Sequence, residues 1–173
     1  MAISLYDISV GCYRQALSGV AGFLEKGLAH CRETGVDPEE IVETQIYPDM
    51  HPFRYQVQSA AFHSRGAIET MKTGVLKFWT DRPAHDYAGL QALIAEARDD
   101  VAKATPDEIN ALAGGEVLFE LPNLKRTFTT EGFVLSFSLP NLHFHATTAY
   151  DILRMKGVPL GKRDYIGALR LKD

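Results

Sequence analysis

The sequence predicts an all-α protein, a four-helix bundle with a short β-hairpin before its last helix. Apolar residues recur every three or four positions over several long stretches, which is the spacing of a helix that buries one face. Helix-start patterns, in which a capping Ser, Thr or Asp precedes a proline or an acidic residue, occur at Ser4, Asp37 and Thr105. Gly114 and Gly115 then interrupt the helical rhythm ahead of two short strand-like runs.

The first long helix is predicted from the capping residue Ser4 to a terminating glycine, Gly35. We interpret Gly19, Gly22 and Gly27 within it as points of close contact with other parts of the fold rather than as breaks. The residues expected in its buried seam are Tyr13, Leu17, Val20, Leu24, Gly27 and Cys31.

A short helix is predicted next, over residues 37–44, and residues 46–52 follow as a loop because two prolines disfavour helix there. Asp49 and His51 in this loop are candidate binding residues at the mouth of a site. The alternative is an aspartate-led turn that only leads into the next helix.

The second long helix is predicted over residues 52–73, with Gly74 as its stop. His63 lies about 100° from the centre of the inward stripe, so its angle favours a surface or subunit-interface position. Residues 75–80, which include the only tryptophan, are expected to form a brief extended connection. The inward stripe consists of Val57, Ala60, Ala61, Ser64, Ile68 and Met71.

A third long helix is predicted after the capping residue Asp86, and a short helix after Thr105. Strands over residues 117–121 and 126–129, joined by a turn at 122–125, form the expected hairpin, which must pack on the helices because an isolated hairpin is marginally stable. The buried face of the third helix repeats Tyr87, Leu90, Ile94, Ala97, Val101 and Ala104.

The last long helix is predicted to begin with Thr130 as its N-cap, to end at Gly157 and to be interrupted at Pro140, which lacks a backbone donor. The tail that follows is expected to lie over the bundle as an extended strap. After the proline, the residues that share one arc of the helix are Leu142, His145, Ala146, Ala149, Ile152 and Leu153.

His145 therefore lies on an apolar face, with Asn141 one turn before it, whereas His143 points well away. We expect His145 to be largely buried and His143 to face solvent, the hairpin or another subunit. His145 is either a core histidine whose ring nitrogens bond to neighbouring groups, or a metal ligand or general base that projects into the bundle.

Length and composition indicate one globular domain over residues 1–173, with 46% hydrophobic and 23% charged residues. The net charge of −4 offers no general attraction to nucleic acid or to an anionic membrane. No apolar run is long enough for a membrane span, and the N-terminus lacks the features of a signal peptide, so we expect a cytoplasmic protein. No local motif assigns a catalytic residue.

The segment PNLHFHATTAYDILRMKGVPLGK resembles the C-terminal signature of the DUF1993 family, within the DinB/YfiT-like superfamily of four-helix-bundle proteins. The upstream segment YPDMHPFRYQVQSA is similar to the start of the second helix in that family. The resemblance covers essentially the whole chain, and it implies an up-down-up-down bundle of DinB-like type.

The superfamily typically binds a divalent metal through one histidine on the second helix and an H-x-x-x-H pair on the fourth. The resemblance places His145 on the second histidine of that pair and Asn141 on the first. His63 is, by its position in the chain, the candidate for the histidine of the second helix. These three residues are thus the implied ligands of zinc or nickel, and Tyr150 is a further candidate for ligand binding.

Two hypotheses about the function of the protein are compatible with the sequence. The resemblance implies a divalent-metal enzyme for thiol-dependent transfer or isomerisation. Alternatively, the metal site has decayed, and the protein is a metal-free small-molecule-binding or assembly module. The number of good ligands that converge near His145 separates the two, because three would favour the enzyme.

A symmetric homodimer is also predicted, because Phe23, Phe62, Phe144 and Met155 lie outside the predicted inward faces. Phe144 and Met155 share one side of the last helix, about 20° apart in projection. The alternative is that these are scattered exposed apolar residues, which need no partner.

Overall fold

A computed structural model describes residues 3–78, 82–121 and 123–171 of the protein, which is mostly helical with one three-stranded sheet. Two π-helical turns, named π1 and π2, cover Phe62–Gly66 and Val134–Ser138. Within the described residues, no helix combines the length and apolar character needed to cross a membrane. The helices are α1 (Leu5–Ile8), α2 (Val10–Thr34), α3 (Glu39–Val42), α4 (Phe53–Ala61), α5 (Ala67–Thr73), α6 (Tyr87–Lys103), α7 (Pro106–Asn110), α8 (Thr130–Phe133), α9 (Leu139–Met155) and α10 (Lys162–Ile166), and the strands are β1 (Val75–Leu76), β2 (Glu116–Leu121) and β3 (Leu124–Thr129).

The core lies between four of these helices. α2 packs against α6 and α9, and α4 packs against the same two helices. The apolar residues expected on the inward faces are buried in all four predicted long helices, so helical periodicity alone located the core. Among them are Tyr13, Leu17, Val20, Leu24, Val57, Ala60, Ile68, Met71, Leu90, Ile94, Ala97, Val101, Leu142, Ala149, Ile152 and Leu153.

Cap geometry confirms most of the predicted helix boundaries. Ser4 and Thr105 each form a capping box with the acidic residue three positions on, and Asp86 caps α6 through Gly89 N–H. Gly35 and Gly74 end α2 and α5 in the left-handed conformation, with φ of 72° and 69°.

Three boundaries differ from the prediction. The short helix expected over residues 37–44 is the four-residue α3, Glu39–Val42, and Pro38 rather than Asp37 holds its N-cap position. Thr129, rather than Thr130, caps the last helix, because its hydroxyl accepts the backbone N–H of Gly132. The first predicted helix is divided at Ser9, whose φ of −103° and ψ of −83° depart from helical values.

The sequence did not predict the two π-helical turns. α4 continues through π1 into α5, and α8 continues through π2 into α9. π2 ends at Ser138, two residues before Pro140, so the interruption expected at the proline takes this form. Proline cannot donate a backbone hydrogen bond and its ring crowds the carbonyl of the fourth residue before it, and a wider turn accommodates both effects.

The predicted hairpin is confirmed as β2 and β3, with Leu121 paired to Leu124, so its connection is two residues long rather than four. β1 pairs in parallel with β2 and represents the predicted extended connection, of which residues 79 and 80 lie outside the described part of the chain. The sheet packs on α5 and α8. This packing places Phe119 of β2 at the edge of the cleft described below.

The C-terminal segment includes the helix α10 and is not fully extended as predicted. α10 packs on α2, where a Cβ on Gly19 would lie 2.3 Å from the carbonyl oxygen of Tyr165. The prediction that Phe23 lies outside the core is wrong. Phe23 is fully buried and meets Tyr150 edge-on at 6.3 Å, because Tyr150 and the C-terminal segment cover this side of α2.

Candidate functional site

A cleft of about 290 Å³ brings together the three residues that were expected to bind a metal, His63, Asn141 and His145. It lies between α4, π1, π2, α9, the strand β2 and the segment that leads into α6. None of its described lining residues is acidic. They are Tyr55, Ser59, Phe62, His63, Phe78, Arg82, Phe119, Leu121, Phe137, Asn141 and His145.

A chain of hydrogen bonds fixes the tautomer of His145. The side-chain Nε2 of Gln56 donates to the backbone carbonyl of His51 at 2.8 Å, so its Oε1 is the atom that faces His145. Nδ1 of His145 lies 2.8 Å from this Oε1 and must carry the proton that it donates. Nε2 of the neutral ring is therefore an unprotonated acceptor for a molecule in the cleft.

The ring of His63 is nearly parallel to that of His145, at an interplanar angle of 10° with the centroids 5.7 Å apart. His63 lies in π1 and is half-buried rather than on the surface. The angular position of His63 predicted that its flank of the second helix faces the surface. That flank is buried, because Gln56 and Ser59, which lie on it, are only 2% and 1% exposed. α4 is thus buried on more than one face.

Both imidazoles are neutral at pH 7. Burial, helped by the charges of Arg82 and His51, lowers the pKa of His145 to about 4. Burial, helped by His145 and Arg82, lowers the pKa of His63 to about 3. Several basic groups converge at one end of the cleft, and a positive charge on any one disfavours charge on the others.

Arg82 is the cation of this cleft. Its guanidinium carbon lies 3.6 Å from the centroid of the Tyr55 ring, and its Nη1 donates to Ser59 Oγ at 3.1 Å. The imidazole of His51 stacks on the same tyrosine ring, with centroids 3.7 Å apart. Since both groups cannot occupy one face at these distances, Tyr55 is sandwiched between them.

The buried side chain of Gln58 holds the segment that carries Arg82. Its Nε2 donates to the carbonyl of Pro83 at 2.7 Å and lies 2.8 Å from Nδ1 of His85. Ser59 and Tyr55 contact Arg82 itself, so three residues of α4 together position one guanidinium.

Aromatic side chains form the other walls. Phe119 meets Phe78 edge-on at 5.1 Å and Phe137 at 5.7 Å, while Phe137 also contacts the ring of His63 at 5.5 Å. Phe62 lies against His63 on the other side, at 5.1 Å. Each of these phenylalanines keeps part of its surface exposed, and together they form a contiguous aromatic patch, a feature that often marks a ligand-binding groove.

The two π-helical turns are tied together behind the cleft. Ser138, in π2, donates from Oγ to the backbone carbonyl of His63 in π1 at 2.7 Å. Because that hydroxyl has one proton, its 2.7 Å contact with Tyr13 must use the tyrosine O–H as donor. π-helical turns are frequent at functional sites, and π1 carries the candidate site residue His63.

The other predicted binding residues lie outside the described lining of the cleft. His51 lies behind Tyr55, and Asp49 is exposed in the preceding loop. Tyr150 lies beneath the C-terminal segment, where its ring contacts Tyr165 at 6.0 Å. Of these residues, only His51 is connected to the site, through its stacking on Tyr55.

The two histidines of the last helix face opposite directions, as predicted. His143 is exposed, and its Nδ1 lies 3.1 Å from the hydroxyl of Tyr165 in the C-terminal segment. His145 faces inward but is half-buried rather than largely buried, because the cleft opens along one side of its ring.

Sequence reasoning missed Arg82, Tyr55, Ser59 and the phenylalanine walls. The sequence does contain a signal for Tyr55 and Ser59. Together with His63 they are spaced four residues apart along the second helix, so the three lie on one side of it. No comparable signal marked Arg82, which lies in an irregular segment far from the others in sequence.

The donors in the cleft fit a resident zinc or nickel ion only in part. Two imidazoles that share one ion have ring centroids roughly 5–6 Å apart, and the observed separation is 5.7 Å. However, such sites take at least three protein ligands, and the described part of the chain contains no group of three His, Cys, Asp or Glu side chains placed to hold a metal. Asn141 offers an amide oxygen, and Arg82 places a positive charge beside both rings.

A larger groove of about 560 Å³ lies between α1, α2, α6 and the C-terminal residues. Its charged lining includes Arg14, Arg98 and Arg170 together with Asp7 and Asp99. It contains none of the predicted site residues and no histidine within the described lining, so the smaller cleft is the candidate site.

The comparison with known proteins agrees with the motifs. The profile of a family described as Domain of unknown function (DUF1993) matches residues 5–166. The fold is similar to the crystal structure of a DinB family member protein from Shewanella denitrificans, with a TM-score of 0.79, 26% sequence identity, and coverage of 98% of this chain and 95% of that chain. No functionally curated protein matches the sequence. The chain belongs to the DUF1993 family and has a DinB-like fold.

Proposed function

We propose that the cleft binds a small organic anion and that the protein functions through this binding. One observation carries the proposal: Arg82 and two neutral imidazoles converge on one cleft, and the positive charge of Arg82 helps to lower the pKa of both rings. Burial lowers the pKa of Arg82 as well, so the guanidinium is partly desolvated. A partly desolvated cation gains more from an anionic partner than one in water.

The neutral imidazoles add hydrogen bonds to this electrostatic attraction. Neutral His145 presents Nε2 as an acceptor, and Ser59, which accepts from Arg82, keeps its own hydroxyl proton for donation. The cleft thus combines one fixed charge with directional donors and acceptors, as small-molecule sites do.

Replacing Arg82 by glutamine should weaken the binding of small carboxylates by about 10–100-fold, since a charge-assisted hydrogen bond contributes about 1.5–3 kcal/mol. Isothermal titration of the untagged protein with benzoate and acetate measures this. Arg98→Gln, on the exposed face of α6, is the matched control and should bind as the natural protein does. If Arg82→Gln and Arg98→Gln bind the carboxylates with equal affinity, the anion binds outside this cleft.

A divalent-metal enzyme of the thiol-dependent transferase or isomerase type is the second candidate. The spacing of the two imidazoles favours it, as does the bond from His145 Nδ1 to Gln56, which resembles the outer-shell support of metal-binding histidines. Such a metal would act by lowering the pKa of a bound thiol or water.

Metal analysis separates the two candidates. The anion proposal expects the untagged protein to contain well below one zinc or nickel per chain and His145→Ala to contain no less. A full equivalent of metal that His145→Ala loses, with His143→Ala retaining it, would favour the metalloenzyme instead.

We propose further that the four packed helices form an up-down-up-down bundle that self-associates into a homodimer. Phe144 and Met155, on α9, are 60% and 53% exposed, which supports an apolar face on this helix. Sedimentation equilibrium at tens of micromolar tests this proposal. A mass near 19.2 kDa would exclude the dimer, whereas a dimer that Phe144→Ser dissociates would support it.

A further inference from the structure

We infer that this cleft recognises an aromatic alcohol group, that is, one aromatic ring with a neutral hydroxyl on it or one carbon away from it. The inference goes beyond anion binding and does not depend on it, because it concerns a part of the ligand that carries no charge. It rests on the hydrogen-bonding atoms of the lining and on the phenylalanine walls.

The protein itself orients two acceptor atoms of the lining. Nδ1 of His145 lies 2.8 Å from Oε1 of Gln56, whose Nε2 donates to the carbonyl of His51, so Nδ1 carries the proton and Nε2 accepts. Nδ2 of Asn141 donates to the carbonyl of Phe137 at 2.7 Å, which leaves Oδ1 as the acceptor of this side chain. A molecule that displaces water from the cleft must offer a donor here, because an acceptor buried without a partner is costly.

Donor groups lie beside these acceptors. The ring of His63 is nearly parallel to that of His145, with centroids 5.7 Å apart, and a neutral imidazole carries one N–H in either tautomer. Ser59 Oγ accepts from Arg82 at 3.1 Å and keeps its own proton for donation. A hydroxyl group donates and accepts through one oxygen, so it can pair with both kinds of partner. An ammonium group can only donate, and an ether oxygen can only accept.

The aromatic ring follows from the phenylalanine walls. Phe137 meets Phe119 at 5.7 Å, and Phe119 meets Phe78 at 5.1 Å, both edge-on. Walls of this kind offer ring faces and ring edges to a further aromatic group. Phe137 also contacts the ring of His63 at 5.5 Å, so a ligand ring against this wall needs only a short link to a hydroxyl beside the histidines. The volume of about 290 Å³ lies near the lower end of the range for ligand sites, so one ring fits better than a fused system.

Three uncharged probes of similar size test the inference. Benzyl alcohol has both features, its isomer anisole keeps the ring and an oxygen but has no donor, and cyclohexylmethanol keeps the hydroxyl but has no aromatic ring. We expect benzyl alcohol to bind about tenfold or more tightly than anisole, because anisole leaves the acceptors unpaired. It should bind about threefold to tenfold more tightly than cyclohexylmethanol, because aromatic pairs add to the burial of apolar surface.

NMR titration of the natural ¹⁵N-labelled protein gives the three affinities, so no variant has to fold. The protein is freed of metal and kept at about pH 8.5, where a histidine with the ordinary pKa of about 6.5 is neutral. The side-chain amide of Asn141 reports where the probe binds. Its signals should shift with benzyl alcohol, whereas those of Asn110, outside the described lining of the cleft, should not move.

Several results would overturn the inference. If anisole binds as tightly as benzyl alcohol, the donor is not recognised, and if cyclohexylmethanol does, the ring is not recognised. Absence of saturable binding of benzyl alcohol, or binding that leaves the Asn141 signals unmoved, would overturn it as well. Because all three probes are uncharged, each of these failures leaves the anion proposal standing, and Arg82→Gln tests that proposal separately.

His145→Leu provides a further check on the hydroxyl. This variant should weaken the binding of benzyl alcohol about tenfold and leave that of anisole nearly unchanged, because only the alcohol donates to Nε2. Equal losses for the two probes would show that His145 does not recognise the hydroxyl, and the inference would be wrong.

Discussion

Replacing Gly27 by alanine will destabilise the protein by about 3 kcal/mol, an effect typical of an overpacked core position. A Cβ on this residue of α2 would lie 2.3 Å from the hydroxyl of Tyr87 and 3.1 Å from a methyl group of Leu153. The tyrosine cannot move away at little cost. It is 1% exposed, its hydroxyl donates to the carbonyl of Leu24 at 2.9 Å, and its ring stacks on Phe53 at 6.0 Å.

Gly22→Ala provides the matched control, because it makes the same change in the same helix. A Cβ on Gly22 meets no described atom within 4 Å, so the only effect is the better helix propensity of alanine. We expect this variant to be more stable than the natural protein by about 0.5–1 kcal/mol. Urea denaturation of both variants measures the difference, and equal stabilities would show that the contact between α2 and Tyr87 is looser than described.

The helices and the core were predictable from the sequence because their signals are local. Caps such as Ser4 and Asp86 act on residues three positions away, and the inward faces of α2 and α6 follow from helical spacing alone. Gly19 and Gly27 were expected to be contact points, and both pack closely against neighbouring groups, whereas Gly22 does not. Predicting that Gly27 contacts Tyr87 would have required the position of α6 relative to α2, which no local sequence pattern gives.

The candidate site was predictable only in part. Family resemblance and chain position identified His145, Asn141 and His63, all of which line the cleft. The angular argument against His63 was wrong, because it assumed one buried face on the second helix. α4 is instead enclosed by α6 and α9 and by the segment that Gln58 holds through Pro83.

Arg82 could not be predicted, for a physical reason. Its place in the cleft depends on Tyr55 and Ser59, which are distant in sequence, and on an irregular segment without periodicity. The prediction that Phe23 lies outside the core was wrong for a related reason. The C-terminal segment, which helps to cover Phe23, was expected to be extended, but it contains the helix α10. Long-range contacts of irregular segments thus account for both errors.

Stability should fall steeply as the pH decreases from 6.5 to 4.5, and His63 and His145 should cause much of this loss. In the unfolded chain, histidine takes up a proton below its ordinary pKa of 6.5, whereas the folded protein keeps these rings neutral down to about pH 3 and pH 4. Within this window the unfolded state binds more protons, so the free energy of unfolding decreases as the pH falls. The contribution is fully present above pH 6.5.

Arg82, His51 and Tyr55 face the two rings, and Arg82 and His51 oppose any positive charge there. One unit of pKa shift corresponds to about 1.4 kcal/mol. Since the rings also face an open cleft, where solvent screens charge, we expect the pair to contribute about 2–3 kcal/mol between pH 6.5 and 4.5. The window ends at the ordinary pKa of Glu, 4.5, and lies above that of Asp, 3.8, and the carboxyl groups of the natural protein and of a variant that changes only the two histidines are the same, so their contribution cancels in that comparison.

The measurement compares urea denaturation at several pH values for the natural protein and for the double variant His63→Gln/His145→Gln. Metal-free buffers without carboxylate or phosphate are needed, because a bound anion would stabilise the charged rings. The double variant should lose about 2–3 kcal/mol less stability across the window, whatever its stability at neutral pH. His143→Gln should keep most of the natural pH dependence, because partial burial is the one cause that lowers the pKa of that ring, without the neighbouring charges that act on His63 and His145. If the double variant and the natural protein respond equally to pH, the rings are not held neutral, and the convergence of positive charge on which anion binding depends is absent.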